Sequence, residues 1–372
     1  MALTRTRKAV LGLLVAALVL GVAEGVARAL YGAPNPPMVA FTPSQEMLVT
    51  VRDGLVHRTL QGPVVLEPFP VHKGAKPRVI WLGGSSVHEA FGTDRDEASG
   101  QLARMLPAVE SINLGAPGVE TSHILDLMPQ VLDFEPDALV LYVGHNDRGN
   151  RVFEAWSDSE RRTMAVRGLL RWSKLFESLD LAMHRRTRAT EIHVDVNAVR
   201  EAFEARLSQI VDMARARGVE VLLVTPTSTA WAPSVRWQCP EVMMGRLQLG
   251  DPTHLKAMRR LEGLDLEGDC RDLAWARAVV ERDLETLDEL RDTDPLPMRA
   301  DRATVEVVRR VAAEHDARLV DANAAFRKVG GGLEPHGFYL DNLHLRPTGH
   351  ARIAQLVKPV LEEALGLGPV EP

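Results

Sequence analysis

The chain has little cysteine: Cys239 and Cys270 are the two in 372 residues. That excludes a disulfide-dense scaffold and any zinc site built from cysteine alone. It has no surplus of positive charge either. Lysine and arginine number 44 against 50 acidic residues, a net charge of −6, so the basic footprint on which nucleic-acid binding relies is missing. The phosphate-cradling GxxxxGK[ST] loop, a GxGxxG turn after a strand and the zinc-binding HExxH helix are all absent. A GxSxG nucleophile elbow is not met, because Gly83, Gly84, Ser85 and Ser86 run on to Val87. No metal or organic cofactor is implied. Internal repeats and low-complexity tracts are lacking too. What is present is a globular balance, 45% apolar and 25% charged, which sets aside disordered, collagen-like and coiled-coil classes.

The first 31 residues differ in kind. Arg5, Arg7 and Lys8 precede an unbroken apolar run over residues 9–23. Extended to Tyr31, a helix there would be about 34 Å long, enough for a hydrocarbon core of roughly 30 Å. It would include Glu24 and Arg28 as an i,i+4 pair. Two readings compete. An uncleaved anchor would keep the basic end in the cytoplasm. A signal peptide would be cut after small residues at Gly21 and Ala23 or at Ala27 and Ala29. Arg28 sits awkwardly beside the second cut, which favours the anchor. Either way the remainder is exported, to the periplasm or beyond.

Residues 32–37 hold three prolines and read as a stiff spacer. Residues 46–60 read as a hairpin turning at Asp53-Gly54, so residues 32–75 form a linker and hairpin segment. From residue 76 apolar strand runs alternate with helical patterns. Strands are expected at 78–84, 109–114, 136–143, 219–226 and 317–326. Helices are expected at 99–106, 120–134, 196–218, 303–316 and 347–365. This order predicts an α/β fold: a three-layer α/β/α sandwich around a five-stranded parallel sheet, flavodoxin-like, over residues 76–366. Residues 148–190 and 228–300 interrupt the alternation and read as helical insertions at the rim where such sheets bind ligands. The second includes an acidic helix over 276–294.

Open parallel sheets place their sites at the carboxyl ends of the strands. Four polar clusters fall there. Ser85 follows the first strand in a glycine-led turn, a position that suits a nucleophile and equally a helix cap. Gly118 closes the turn after the second strand, and Asn146 lies in Gly144-His145-Asn146-Asp147 after the third. Asp341 and His344 precede the last helix, three residues apart, so a carboxylate can orient an imidazole within one loop. Asp251 and His254 repeat that spacing behind no strand and read as a decoy. His88 and His350 read as structural or solvent-facing, and Ser86 is a minor rival nucleophile.

Together these blocks resemble the SGNH hydrolase superfamily, the GDSL-like lipases and esterases. GGSS matches its first block, NLGAPG the second, GHND the third and DNLH the last, across about residues 78–363. The resemblance implies Ser85 as nucleophile, His344 as base and Asp341 as its orienting acid. It implies an oxyanion hole from the Ser85 and Gly118 amides and the Asn146 side chain. Gly84 departs from the pattern, since many members carry Asp there.

The implied activity is cleavage of an acyl ester through an acyl-enzyme, on an envelope glycan or lipid given the exported location. Transfer of the acyl group to a sugar hydroxyl would use the same residues, and a non-catalytic envelope scaffold could keep the fold. Export also bears on the cysteines. A Cys239–Cys270 disulfide would close a loop of about 32 residues and contribute roughly 3.5 kcal/mol by loop entropy. Two buried free thiols are the other reading.

Overall fold

The computed structural model describes residues 5–31, 48–59, 67–88, 96–154, 195–231, 271–294, 299–340 and 342–368, with Val166, Leu170, 173–176 and Leu179 between them. Cys239, Cys270, Asp251, His254 and Asp341 lie outside the described residues.

Helix α1 (Arg5–Tyr31) runs through the whole N-terminal apolar stretch without a break, and Glu24 and Arg28 form the expected ion pair at 2.6 Å. Its leucines and valines are exposed, Leu13 at 72%. Strands β1 (Leu48–Arg52) and β2 (Leu55–Thr59) make the expected hairpin. Asp53 and Gly54 both have positive φ, 53° and 76°, the geometry that matches the twist of two paired strands. A short third strand, β3 (Phe69–Pro70), pairs with β2 and carries no sequence signal of its own.

The main sheet follows. Its strands are β4 (Arg78–Gly83), β5 (Glu110–Asn113), β6 (Ala138–Tyr142), β7 (Glu220–Val224) and β8 (Arg318–Val320). All pairings are parallel and the spatial order is β5-β4-β6-β7-β8. Numbered within the sheet, that is 2-1-3-4-5, the flavodoxin-like order, with its switch point between β4 and β6. The crossover helices are α2 (Ala98–Met105), α3 (Thr121–Leu132), α4 (Asn146–Glu154) and α5 (Val196–Arg215). Beyond β7 come α6 (Arg271–Glu281), α7 (Leu284–Asp292), α8 (Arg302–Glu314), α9 (Ala322–Val329) and α10 (Pro347–Ala364).

The two-residue alternation of the strands sorts side chains onto two cores. Ile80, Leu82, Leu139, Leu141, Val221 and Leu223 face one side, under α3, α5 and α8. Val79, Trp81, Val140, Tyr142, Leu222 and Val224 face the other, under α2 and α10. Hence there are three layers. The hairpin belongs to the first core through Val56 and Phe69.

Two expectations need correction. The run 317–326 is a strand only to Val320, because the Asp321 carboxylate accepts the Ala324 amide and caps α9 instead. The acidic helix over 276–294 is two helices. Arg282 turns to φ 58°, and Asp283 caps α7 by accepting the Thr286 amide. Trp231, Leu273, Trp275, Val279 and Leu287 of this second insertion form a small core together with Leu333 of the loop after α9.

Arg78 is fully buried at the start of β4. Its guanidinium donates to Glu110 Oε2 at 2.7 Å, to the carbonyls of Val71 and Phe134 at 2.8 and 2.7 Å, and to that of His72 at 3.3 Å. It also lies 5.5 Å from the Phe69 ring centre. One side chain therefore joins the hairpin segment to β5 and to the turn after α3. Arg78→Ala orphans these acceptors and is expected to cost about 3–5 kcal/mol in urea unfolding. Arg78→Lys recovers part of that loss, because an ammonium cannot span the same fork of acceptors. Full stability in Arg78→Ala would show that the acceptors find other donors.

Candidate active site

The turn after β4 sets the site. The Gly84 carbonyl accepts the amides of Val87 and His88, so Ser85 sits at the head of a tight turn at the carboxyl end of the strand. Its side chain is nearly buried, with 6% exposure. Ser85 Oγ lies 2.8 Å from His344 Nε2, a partner 259 positions away in sequence. The loop carrying His344 is held by two backbone hydrogen bonds. The Leu340 amide donates to the His344 carbonyl at 2.8 Å, and the Thr229 amide to the Asn342 carbonyl at 2.9 Å. Pro347 then starts α10 in its first turn, where its missing N–H is harmless.

The structure brings the second and third clusters to the same place. Asn146 Nδ2 donates to the Val119 carbonyl at 2.8 Å, next to Gly118. A Cβ at Gly84 would stand 2.1 Å from that same Nδ2. The amide of Asn146 thus occupies the space that a side chain at 84 would need, next to Ser85. A side chain at position 84 would therefore require Asn146 to move from its bond to the Val119 carbonyl. Gly118 takes φ 75°, and its carbonyl accepts from Asn150 Nδ2 at 2.9 Å, which fixes the turn.

Several supporting residues escaped the sequence reading. Asn150 also donates to Glu120 Oε2 at 2.9 Å, and Glu120 pairs with Arg151. Glu120 is held below the usual carboxylate range by its hydrogen bonds to Ser122, Arg151 and Asn150, against the opposing effect of burial. His145 Nδ1 accepts the Ala300 amide at 3.0 Å, tying the third cluster to the end of the second insertion. Behind the nucleophile turn, His88 Nδ1 meets Glu97 Oε1 at 3.0 Å, and Asn113 donates both to Glu97 and to the Val87 carbonyl. His88 is therefore buried and structural. His350 is buried as well, and desolvation pushes it down to about 4, so it stays neutral near pH 7. Among the described residues no group of three His, Cys, Asp or Glu is arranged to hold a metal ion. Nothing local gives Glu97 away, because it stands before α2, where an acidic residue is ordinarily read as a helix-start signal.

Asp147 needs separate treatment. It is buried beneath Asn146, and its Oδ1 accepts from both the Thr121 amide, at 3.1 Å, and the Thr121 hydroxyl. Arg206 stands 3.7 Å away, while Oδ2 has no hydrogen-bond partner. Burial raises this carboxyl to about 6. The folded state then holds the proton more tightly than the unfolded chain does. The contribution is full below about pH 4 and lost as pH rises through about 6, a swing of up to about 3 kcal/mol. Asp147→Asn keeps an acceptor for Thr121 without the charge. Its stability relative to the parent is expected to improve between about pH 4 and pH 7.5 in urea titrations, and a pH-independent difference would contradict this.

No family model and no curated protein matches the sequence. Among solved structures, the chain is similar to an acetyl xylan esterase with 14% identity, covering 76% of this chain and 99% of that one at a TM-score of 0.42. It is similar to an acetylxylan esterase of Geobacillus stearothermophilus with 14% identity, covering 81% and 99% at a TM-score of 0.40. It is also similar to a GDSL-like lipase of Bacteroides thetaiotaomicron with 12% identity, covering 77% and 88% at a TM-score of 0.37. Two of these three structures are esterases and one is a GDSL-like lipase; the sheet order and strand-end site described above stand on this chain's own residues.

Proposed function

We propose that this protein is an exported serine ester hydrolase of SGNH type, held in the membrane by α1. The observation that carries the reading is the 2.8 Å contact between Ser85 Oγ and His344 Nε2 at the carboxyl end of β4. A hydroxyl and an imidazole within hydrogen-bond reach are the minimum for nucleophilic acyl transfer. His344 takes the Ser85 proton as Oγ attacks the ester carbonyl carbon. The tetrahedral oxygen is met by the amides of Ser85 and Gly118 and by Asn146 Nδ2, which turns from the Val119 carbonyl toward it. Collapse breaks the bond to the alcohol, which leaves with the proton from His344. Water then attacks the acyl-enzyme, with His344 again as base; the bond to Ser85 Oγ breaks, the hydroxyl regains the proton from His344 and the acid leaves. Asp341 is assigned the orienting role on His344 by its place three residues earlier in the chain. The substrate class proposed is an acyl ester on an envelope glycan or lipid.

The chain has one helix long and apolar enough among the described residues to cross a membrane, Val10–Ala29, with mean hydropathy 2.4. It fits an exported protein. Retention as an uncleaved anchor is proposed because the helix continues unbroken through both candidate cleavage sites, which leaves no extended segment for a peptidase. Membranes washed in alkaline carbonate are expected to keep the protein in the pellet with Met1 to Tyr31 still attached. A soluble form starting after Ala23 or Ala29 would overturn the anchor.

The catalytic assignment is tested by fluorophosphonate labelling and turnover of p-nitrophenyl acetate. Ser85→Ala should abolish labelling, and both Ser85→Ala and His344→Ala should cut turnover by several orders of magnitude, since such groups act as a unit. Asn146→Ala should lose about 10²–10³ in rate while labelling persists. Ser86→Ala should stay active, and His254→Ala should be near neutral. Wild-type turnover in folded Ser85→Ala or His344→Ala defeats the assignment.

A further inference from the structure

Glu24 lies in the outer part of α1, five positions before the end of the apolar span at Ala29. A carboxylate there is costly unless it is paired. Arg28 pairs with it, but three further donors come from elsewhere. Ser173 Oγ donates to Glu24 Oε2 at 2.8 Å, the Lys174 amide to Oε1 at 2.9 Å, and the Leu175 amide to Oε2 at 2.9 Å. Ser173 in turn accepts the Phe176 amide at 3.1 Å, which closes the turn around the carboxylate. These partners belong to the first insertion, about 150 residues later. The face of α1 they cover is local. Of its described side chains only Ala27 is buried, one turn beyond Glu24; Ala23 and Glu24 are half-buried and the other described ones are exposed.

The insertion itself is unlike the remainder of the chain. Residues 161–190 contain eight arginines and lysines and two acidic residues, although the whole chain carries a net charge of −6. Alongside these charges, Val166 and Leu179 expose their side chains, at 54% and 53%. At 1.5 Å per residue, Glu24 stands about 7 Å inside the end of the span, within the roughly 5–10 Å to which interfacial segments sink their apolar faces. Basic residues flanking such apolar side chains suit phosphate-bearing headgroups.

We infer that the first insertion lies on the outer surface of the same bilayer that α1 crosses, with Glu24 as the clasp between them and Val166 and Leu179 seated among the lipids. This rests on the anchor reading of α1.

The full chain, reconstituted into vesicles of phosphatidylethanolamine and phosphatidylglycerol, tests this with the photoreactive p-benzoylphenylalanine placed singly at Leu14, Val166, Leu179 or Val329. Val329 is equally exposed, at 55%, on α9. Lipid adducts, read by mass spectrometry, are expected at Leu14, Val166 and Leu179, several-fold above Val329. Glu24→Leu should lower the adduct at Leu179 several-fold and leave Leu14 unchanged, and Ser173→Ala should give a smaller drop in the same direction. Adducts at Val166 and Leu179 no higher than at Val329, with Leu14 labelled, overturn the docking alone. An unlabelled Leu14 overturns the anchor and the docking together. Undiminished labelling of Leu179 in Glu24→Leu overturns the clasp.

Discussion

Burial of both faces of the β4–β8 sheet is the constraint on which the other features depend. A parallel sheet covered by helices on each side leaves no face for polar side chains, so Val79 to Leu82 and Ala138 to Tyr142 are buried throughout. Polar groups are driven to the strand ends. At the carboxyl ends, β4 and β6 are neighbours in the sheet although β5 lies between them in sequence. Their following loops diverge there, and the gap they leave receives Ser85 from one side and Asn146 from the other. The site is thus a consequence of sheet order before it is a consequence of any motif.

Holding reactive groups in that gap takes a surrounding layer of fixed polar contacts. Asn113, Glu97 and His88 brace the nucleophile turn from behind. Asn150 does the same for the turn carrying Gly118, and Thr121 does so for Asp147 in the first turn of α4. Farther out, Arg148 pairs with Asp301 at 2.6 Å, joining α4 to the cap of α8. Each contact takes one dihedral freedom from a loop that would otherwise be mobile at a strand end. These contacts hold the loops between which Ser85 and His344 approach to 2.8 Å.

Much of the frame was legible in the sequence, because the strands are apolar runs bounded by glycine turns and the helices carry a strong 3.6-residue pattern. The hairpin at Asp53-Gly54 was legible for the same reason. The failures are instructive. In 317–326 an alanine-rich run after Asp321 was read as strand, although a carboxylate before alanines is a helix start. In 276–294 the break was hidden, because Arg282 adopts positive φ without being glycine or asparagine. At the site, Ser85, Gly118, Asn146 and His344 were legible from their positions after successive strands. Glu97, Asn113, Asn150 and Asp147 were not, since side chains that bond other loops carry no periodicity of their own. Glu24 was visible as half of an i,i+4 pair, but its bonds to Ser173, Lys174 and Leu175 cross about 150 residues and leave no local trace.

The separation of 259 positions between Ser85 and His344 has a consequence in time. While the chain is being made, the serine is finished long before the imidazole that would take its proton. Closing so long a loop is entropically costly until the intervening strands have paired. β7 and β8 must therefore be added to the sheet before the pair can meet. An unfinished or unfolded chain carries an ordinary alcohol at position 85, no more reactive than any other serine. Under the proposed assignment, Ser85 gains its base only when folding brings position 344 beside it, so any reactivity of that hydroxyl belongs to the finished fold and not to the nascent chain.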